Sequence, residues 1–135
     1  AEKGFEVVAR EDTNGTFDSA LEAAKKILNE QPDITAIMCG NDQMAVAAKT
    51  ALNLAGNDQT VVYSIDGSPD IKKELKKADG QIAGTVAQSP VNIGKKAVDI
   101  ALDILEGKDF EKETSVDVFM INKENVEMYG ADGWQ

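Results

Sequence analysis

The chain alternates short apolar runs with stretches in which apolar residues return every three or four positions. Phe5, Val7 and Val8 predict a short strand that ends in the polar residues 10–16. Leu21, Ala24, Ile27 and Leu28 recur at helical spacing, and Pro32 stops that helix. Residues 34–39 (Ile-Thr-Ala-Ile-Met-Cys) form a compact apolar run that predicts a buried strand. Gly40 and Asn41 turn the chain. Asp42 then reads as the N-cap of a helix carrying Met44, Ala48, Ala51, Leu52 and Ala55, with Gly56 placed to end it in a left-handed cap.

The same alternation continues. Val61, Val62, Tyr63 and Ile65 predict a third strand, closed by Asp66-Gly67. Ser68-Pro69 opens a short, lysine-rich helix, with proline in the first turn where a missing N–H is harmless. Residues 82–87 predict a fourth strand. Ser89-Pro90 opens a longer helix using Gly94, Ala97, Val98, Ala101, Leu102 and Leu105, ended by Gly107. Residues 116–121 predict a fifth strand before a polar tail. Strands alternating with helices imply βα units, so the chain reads as one α/β domain, 1–135, with a mostly parallel sheet of about five strands flanked by helices. The run from Ala36 to Cys39 is apolar on both faces, as a strand covered on both sides should be.

Composition narrows the function more than the fold. Across 135 residues, 14 Lys and Arg oppose 24 Asp and Glu, for a net charge of −10. Such a chain repels phosphate backbones, which argues against nucleic acid as the partner. It has no histidine and a single cysteine, Cys39, so His-based catalysis, an internal disulfide and a thiolate metal cluster are all excluded. No run approaches the ~20 apolar residues of a membrane helix, and residues 1–20 lack a signal-peptide pattern. Neither glycine-rich phosphate loop occurs, and the carboxylates lack metal-loop spacing. The expectation is a binding domain with no cofactor and no metal, rather than an enzyme.

In open α/β sheets, ligands bind beyond the carboxyl ends of the strands. The residues there are Asn41 after the second strand, Asp66 after the third and Gln88 after the fourth, with the loop from Asp12 to Phe17 after the first. A carboxylate accepts hydroxyl hydrogens, while Asn and Gln both donate and accept. That set suits a neutral ligand with many hydroxyls. Phe17 could cover the apolar face of a sugar ring, although its spacing from Leu21, Ala24 and Leu28 equally suits core packing. Asp42 reads as a cap, Asp66 as either ligand contact or turn residue, and Cys39 as an inert buried thiol. Lys72, Lys73, Lys76 and Lys77 read as a solvated helix face.

Residues 32–45, Pro-Asp-Ile-Thr-Ala-Ile-Met-Cys-Gly-Asn-Asp-Gln-Met-Ala, resemble a characteristic stretch of type I periplasmic sugar-binding proteins. Ser64-Ile65-Asp66-Gly67-Ser68-Pro69, residues 80–90 and the tail from Asn122 to Val126 follow in that family's order. The resemblance implies a periplasmic or extracellular receptor, or a cell-surface lipoprotein, that feeds a sugar or polyol to the permease of an ABC transporter. It implies that Asn41, Asp66 and Gln88 bond ligand hydroxyls, with Phe17 or Gly15 at the place of the family's aromatic ring wall. It covers only the C-terminal half of such receptors. The helix within 89–108 would belong to the other lobe, and the strand that would lie between 5–9 and 34–39 has no counterpart here. Two outcomes follow: a rearranged sheet, or completion by another chain, either the N-terminal half or a second copy.

Other classes fit less well. The effector-binding core of a lactose-repressor-type transcription regulator shares the Asn-Asp element, but its Pro-x-Leu-Thr-Thr-like stretch is replaced here by Gln81-Ile82-Ala83-Gly84-Thr85-Val86. A receiver domain needs an acidic pair after its first strand, where this chain has Val8-Ala9-Arg10. Flavin binding would want a phosphate loop that residues 13–16 resemble only loosely. Half a cleft offers a ligand one wall, so weak or absent sugar binding by these residues alone is expected.

Overall fold

A computed structural model describes residues 4–78 and 80–134. The elements are α1 (Phe17–Glu30), β1 (Ala36–Met38), α2 (Asp42–Ala55), β2 (Val61–Asp66), α3 (Pro69–Leu75), β3 (Ile82–Ala87), α4 (Pro90–Leu105) and β4 (Phe119–Asn122), followed by a single 3₁₀ turn (Val126–Met128). The sheet runs β1-β2-β3-β4 in chain order. β1 pairs parallel with β2, starting from Ala36 opposite Val61, and β2 pairs parallel with β3, from Val62 opposite Ile82. β4 closes the sheet antiparallel to β3, with Gly84 opposite Asn122. The α/β, mostly parallel reading holds, with four strands where about five were expected.

The core lies between this sheet and its helices. Leu52, Val62, Ile71, Leu75, Ile82 and Ile121 are essentially inaccessible to solvent. Ala45, Ala48 and Ala51 of α2 join the same cluster. Their small side chains let α2 lie close to the sheet, and α1 packs along α2 through Ala24 and Leu28.

The first expected strand does not form. Phe5, Val7 and Val8 are exposed by 75%, 57% and 49%, and residues 5–8 pair with nothing in the sheet. A strand is stable only against a neighbour that takes up its backbone hydrogen bonds, and among the described residues none pairs with 5–8. β1 is consequently an edge strand of three residues, not a doubly covered one, and Met38 at its end is 76% exposed. The last strand begins at Phe119, not 116, because only from there does it face β3.

α4 starts where Ser89-Pro90 predicts, with the Ser89 hydroxyl accepting from the Asn92 N–H at 3.4 Å. Yet none of its residues is buried, and Val91, Val98, Leu102 and Leu105 stand at least half exposed. An amphipathic helix normally buries such a stripe; among the described residues this one has no partner.

Candidate ligand-binding site

Because β1, β2 and β3 are parallel, their carboxyl ends share one rim, and the residues just beyond them come together there. Asn41, not Asp42, caps α2: its Oδ1 accepts from the Met44 N–H at 2.8 Å. Either residue suits a cap by type, and the chain turns one residue earlier than expected. The Asn41 Nδ2 donates to the Gly15 carbonyl at 3.0 Å, tying the loop before α1 to this rim. One N–H and one lone pair of the amide stay available for a ligand.

Asp66 and Gln88 meet directly. Gln88 Nε2 donates to Asp66 Oδ1 at 3.1 Å, and the Gln88 N–H donates to the Asp66 carbonyl at 3.0 Å. The other carboxylate oxygen, Oδ2, accepts from the Asp42 N–H at 3.5 Å. Asp66 is half-buried, and that burial pushes its carboxyl above the usual range. The Asp42 N–H and the Gln88 amide pull it back down, while the Asp42 charge pushes it further up. Its backbone has φ = +128°, a region that strains any residue with a Cβ. Gly67 follows at φ = +76°, where an added Cβ would lie 2.5 Å from the Ala87 Cβ and 2.9 Å from its Cα.

Beneath the rim lies a polar network that the sequence does not announce. Asp42 is 3% exposed, with Oδ1 accepting from the Ser64 hydroxyl at 2.5 Å and the Thr85 hydroxyl at 2.7 Å. Its Oδ2 accepts from the Ser68 N–H at 2.6 Å. The available signal was a pair of hydroxyl residues, Ser64 and Thr85, inside otherwise apolar strands; buried hydroxyls need partners. Lys72 is a second departure. Instead of standing on a solvated face it is fully buried, and its Nζ donates to the Gly133 carbonyl at 2.5 Å. Burial lowers its pKa, and the Asp132 and Asp42 charges partly oppose that. Lys73, Lys76 and Lys77 do pair at the surface, with Asp70, Glu127 and Glu74.

Phe17 is the first residue of α1 and is half-buried. It is Gly15, two residues earlier and at φ = +70°, that touches Asn41; a Cβ there would sit 3.2 Å from Asn41 Nδ2. Cys39 is buried as expected, and burial pushes its thiol up to about 11. Gln88 also lines an open depression of about 280 Å³ together with Ser89, Ile93, Thr114, Val116 and Val118. Among the described residues no group of His, Cys, Asp and Glu is arranged to hold a metal ion, and no helix is long and apolar enough to cross a membrane.

Residues 1–109 match the family described as the periplasmic binding protein domain. The chain is similar to the ribose import binding protein RbsB of Salmonella typhimurium, 34% identical over 120 residues that make up 89% of this chain and 40% of that protein. It is 33% identical over 100 residues to the D-allose-binding periplasmic protein of Escherichia coli, covering 73% of this chain and 32% of that one. Among solved structures it superimposes on an ABC transporter periplasmic solute binding protein from Actinobacillus succinogenes with bound D-allose. There the TM-score is 0.85 at 29% identity, over 92% of this chain and 44% of that one. A Bacillus halodurans solute binding protein with bound myo-inositol gives a TM-score of 0.84 at 29% identity, over 94% and 44%. The chain thus spans about 40% of the length of the curated relatives it matches.

Proposed function

The chain belongs to the periplasmic binding protein domain family, and from that premise we propose that it forms one wall of a receptor that captures a monosaccharide or polyol for ABC-transporter uptake. Asn41, Asp66 and Gln88 are the ligand-bonding residues in this reading. The observation that carries it is the direct Gln88–Asp66 contact at 3.1 Å, with the N–H of Asp42, the residue after Asn41, bonded to the other carboxylate oxygen. An amide, a carboxylate and a second amide at one rim offer both donors and acceptors to adjacent hydroxyls, which is what a sugar requires. Phe17 or the backbone at Gly15 borders the ligand from the loop before α1.

The function is binding without catalysis, at a periplasmic or extracellular site, a lipid-anchored cell-surface form included. Relatives named as ribose-, allose- and solute-binding proteins support this reading. The bare apolar stripe of α4 supports its packing against a facing lobe, supplied by the rest of the receptor or by a second copy. Ligand contacts to both walls then favour the closed form, which docks on the permease.

Titration calorimetry of the full-length, two-lobed receptor with D-ribose, D-allose and myo-inositol tests the assignment. Asp66→Ala removes a charged acceptor and leaves ligand hydroxyls unpaired, so affinity falls by about tenfold or more. Unchanged affinity in that variant sinks it.

A further inference from the structure

We propose that Asp42 is the positioning residue of this site: its buried carboxylate holds the Asp66-Gly67-Ser68 turn in the shape that presents the Asp66 carboxylate to a ligand. The proposal rests on the sugar-binding reading only for its consequence, since the hold itself is a property of the unliganded chain.

A carboxylate in the first turn of a helix is ordinarily solvated and helps the helix through its dipole. Asp42 sits there but is 3% exposed. A buried charge needs its lone pairs filled by the protein. The fillers come from three separate elements: Ser64 within β2, Thr85 within β3, and the Ser68 N–H at the start of α3. One side chain of α2 therefore fastens both central strands and the next helix.

The turn it fastens is strained. Asp66 at φ = +128° and Gly67 at φ = +76° are consecutive departures from ordinary backbone, and only the second is a glycine. A strained conformation persists when its surroundings over-determine it. Here they do so by routes that pass through Asp42. The Gly67 N–H donates to Thr85 Oγ1 at 3.2 Å, and that hydroxyl donates on to Asp42 Oδ1. The Ser68 N–H is held by Asp42 Oδ2. The backbone N–H of Asp42 reaches Asp66 Oδ2 itself. The Asp42 side chain thus grips the turn at Gly67, through Thr85, and at Ser68, while its backbone N–H, which any residue at position 42 would supply, reaches the Asp66 carboxylate.

The test uses isotope-labelled chain carrying Asp42→Ala, with Asp42→Asn as the conservative variant and Leu52→Ala as a core control. Two readouts are followed: the amide-to-Hα coupling of Asp66, which reports φ without any ligand, and chemical-shift changes on adding D-allose. In Asp42→Ala the Asp66 coupling moves to that of ordinary extended backbone and the D-allose response weakens at least tenfold. Asp42→Asn, which can still accept from the Ser68 N–H and donate to both hydroxyls, recovers part of each. Leu52→Ala lowers stability and leaves the Asp66 coupling alone. If Asp42→Ala fails to fold, Thr85→Val, which cuts one strand of the grip, carries the same readouts and shifts the Asp66 coupling in the same direction. An Asp66 coupling unchanged in Asp42→Ala or in that substitute overturns the proposal, however far stability falls. Silence of the full-length, two-lobed receptor toward D-allose, D-ribose and myo-inositol counts against the sugar-binding reading, while the Asp66 coupling still decides the role of Asp42.

Discussion

Gln88 and Asp66 are joined twice, by side chain at 3.1 Å and by backbone at 3.0 Å, so the carboxyl ends of β2 and β3 are locked in one register at the rim. Gln88 is also the last residue before the turn into α4. The contact therefore couples the candidate ligand carboxylate to the point where the chain leaves the sheet.

Strain at Asp66 gives a variant in which stability and binding part company. Asp66→Gly relieves a backbone cost of about 1–3 kcal/mol while losing the bonds to Gln88 and to the Asp42 N–H. The two roughly offset, so the variant melts no lower than the parent while its response to sugar disappears. Thermal unfolding by circular dichroism checks this, and a clear drop in Tm would show that Asp66 is there for stability.

Gly67 allows no side chain. Gly67→Ala would force a Cβ to within 2.5 Å of the Ala87 Cβ at a backbone φ of +76°. Left-handed backbone costs about 1–2 kcal/mol and overpacking about 1–3 kcal/mol, so denaturant unfolding should register a loss of about 3 kcal/mol. A loss below about 1 kcal/mol would mean that the β2 turn stands away from β3.

The two apolar faces differ in what they support. Leu52→Ala, in the core, should cost about 2–5 kcal/mol. Leu102→Ala, on the bare stripe of α4, should change stability by less than about 0.5 kcal/mol, because Leu102 is half exposed and no α4 residue is buried. Urea unfolding of both variants makes the comparison; an equal loss in each would place α4 against the sheet.

Much of this was legible in the sequence, for reasons that can be named. β3 and the starts of α3 and α4 fall where the apolar runs and the Ser-Pro pairs predict, because those signals are local. The rim residues Asn41, Asp66 and Gln88 could be picked out because parallel strands put their carboxyl ends on one side. Residues 5–8 misled because a strand-like pattern does not reveal whether a neighbour exists to pair with it. Asp42 and Lys72 misled because their burial depends on partners 22 to 61 residues away along the chain. The choice of Asn41 over Asp42 as cap is a matter of one residue, which pattern alone does not resolve.

Glu74 sets a pH dependence. Burial pushes its carboxyl up, but hydrogen bonds and charge from Lys49 and Lys77 outweigh that and hold it below the usual range. A carboxylate lowered in the fold stabilises it fully above the unfolded pKa and loses that contribution as pH falls through the folded one. Stability should therefore decline on acidification below the ordinary glutamate range, and Glu74→Gln should flatten that part of the curve by about 1 kcal/mol. Urea midpoints measured across the acid range check it, and an identical slope in the variant would remove Glu74 from the account.

The most direct test follows the backbone and side-chain amides of the labelled chain as D-ribose, D-allose and myo-inositol are added to high concentration. One wall of a cleft binds weakly, with a dissociation constant on the order of millimolar (about 4 kcal/mol), so shifts rather than heat are the suitable signal. The account predicts changes centred on the Asn41 and Gln88 side-chain amides and on the backbone of Asp66 and Gly67, all absent in Asp66→Ala. Shifts scattered elsewhere, or persisting unchanged in that variant, would contradict it.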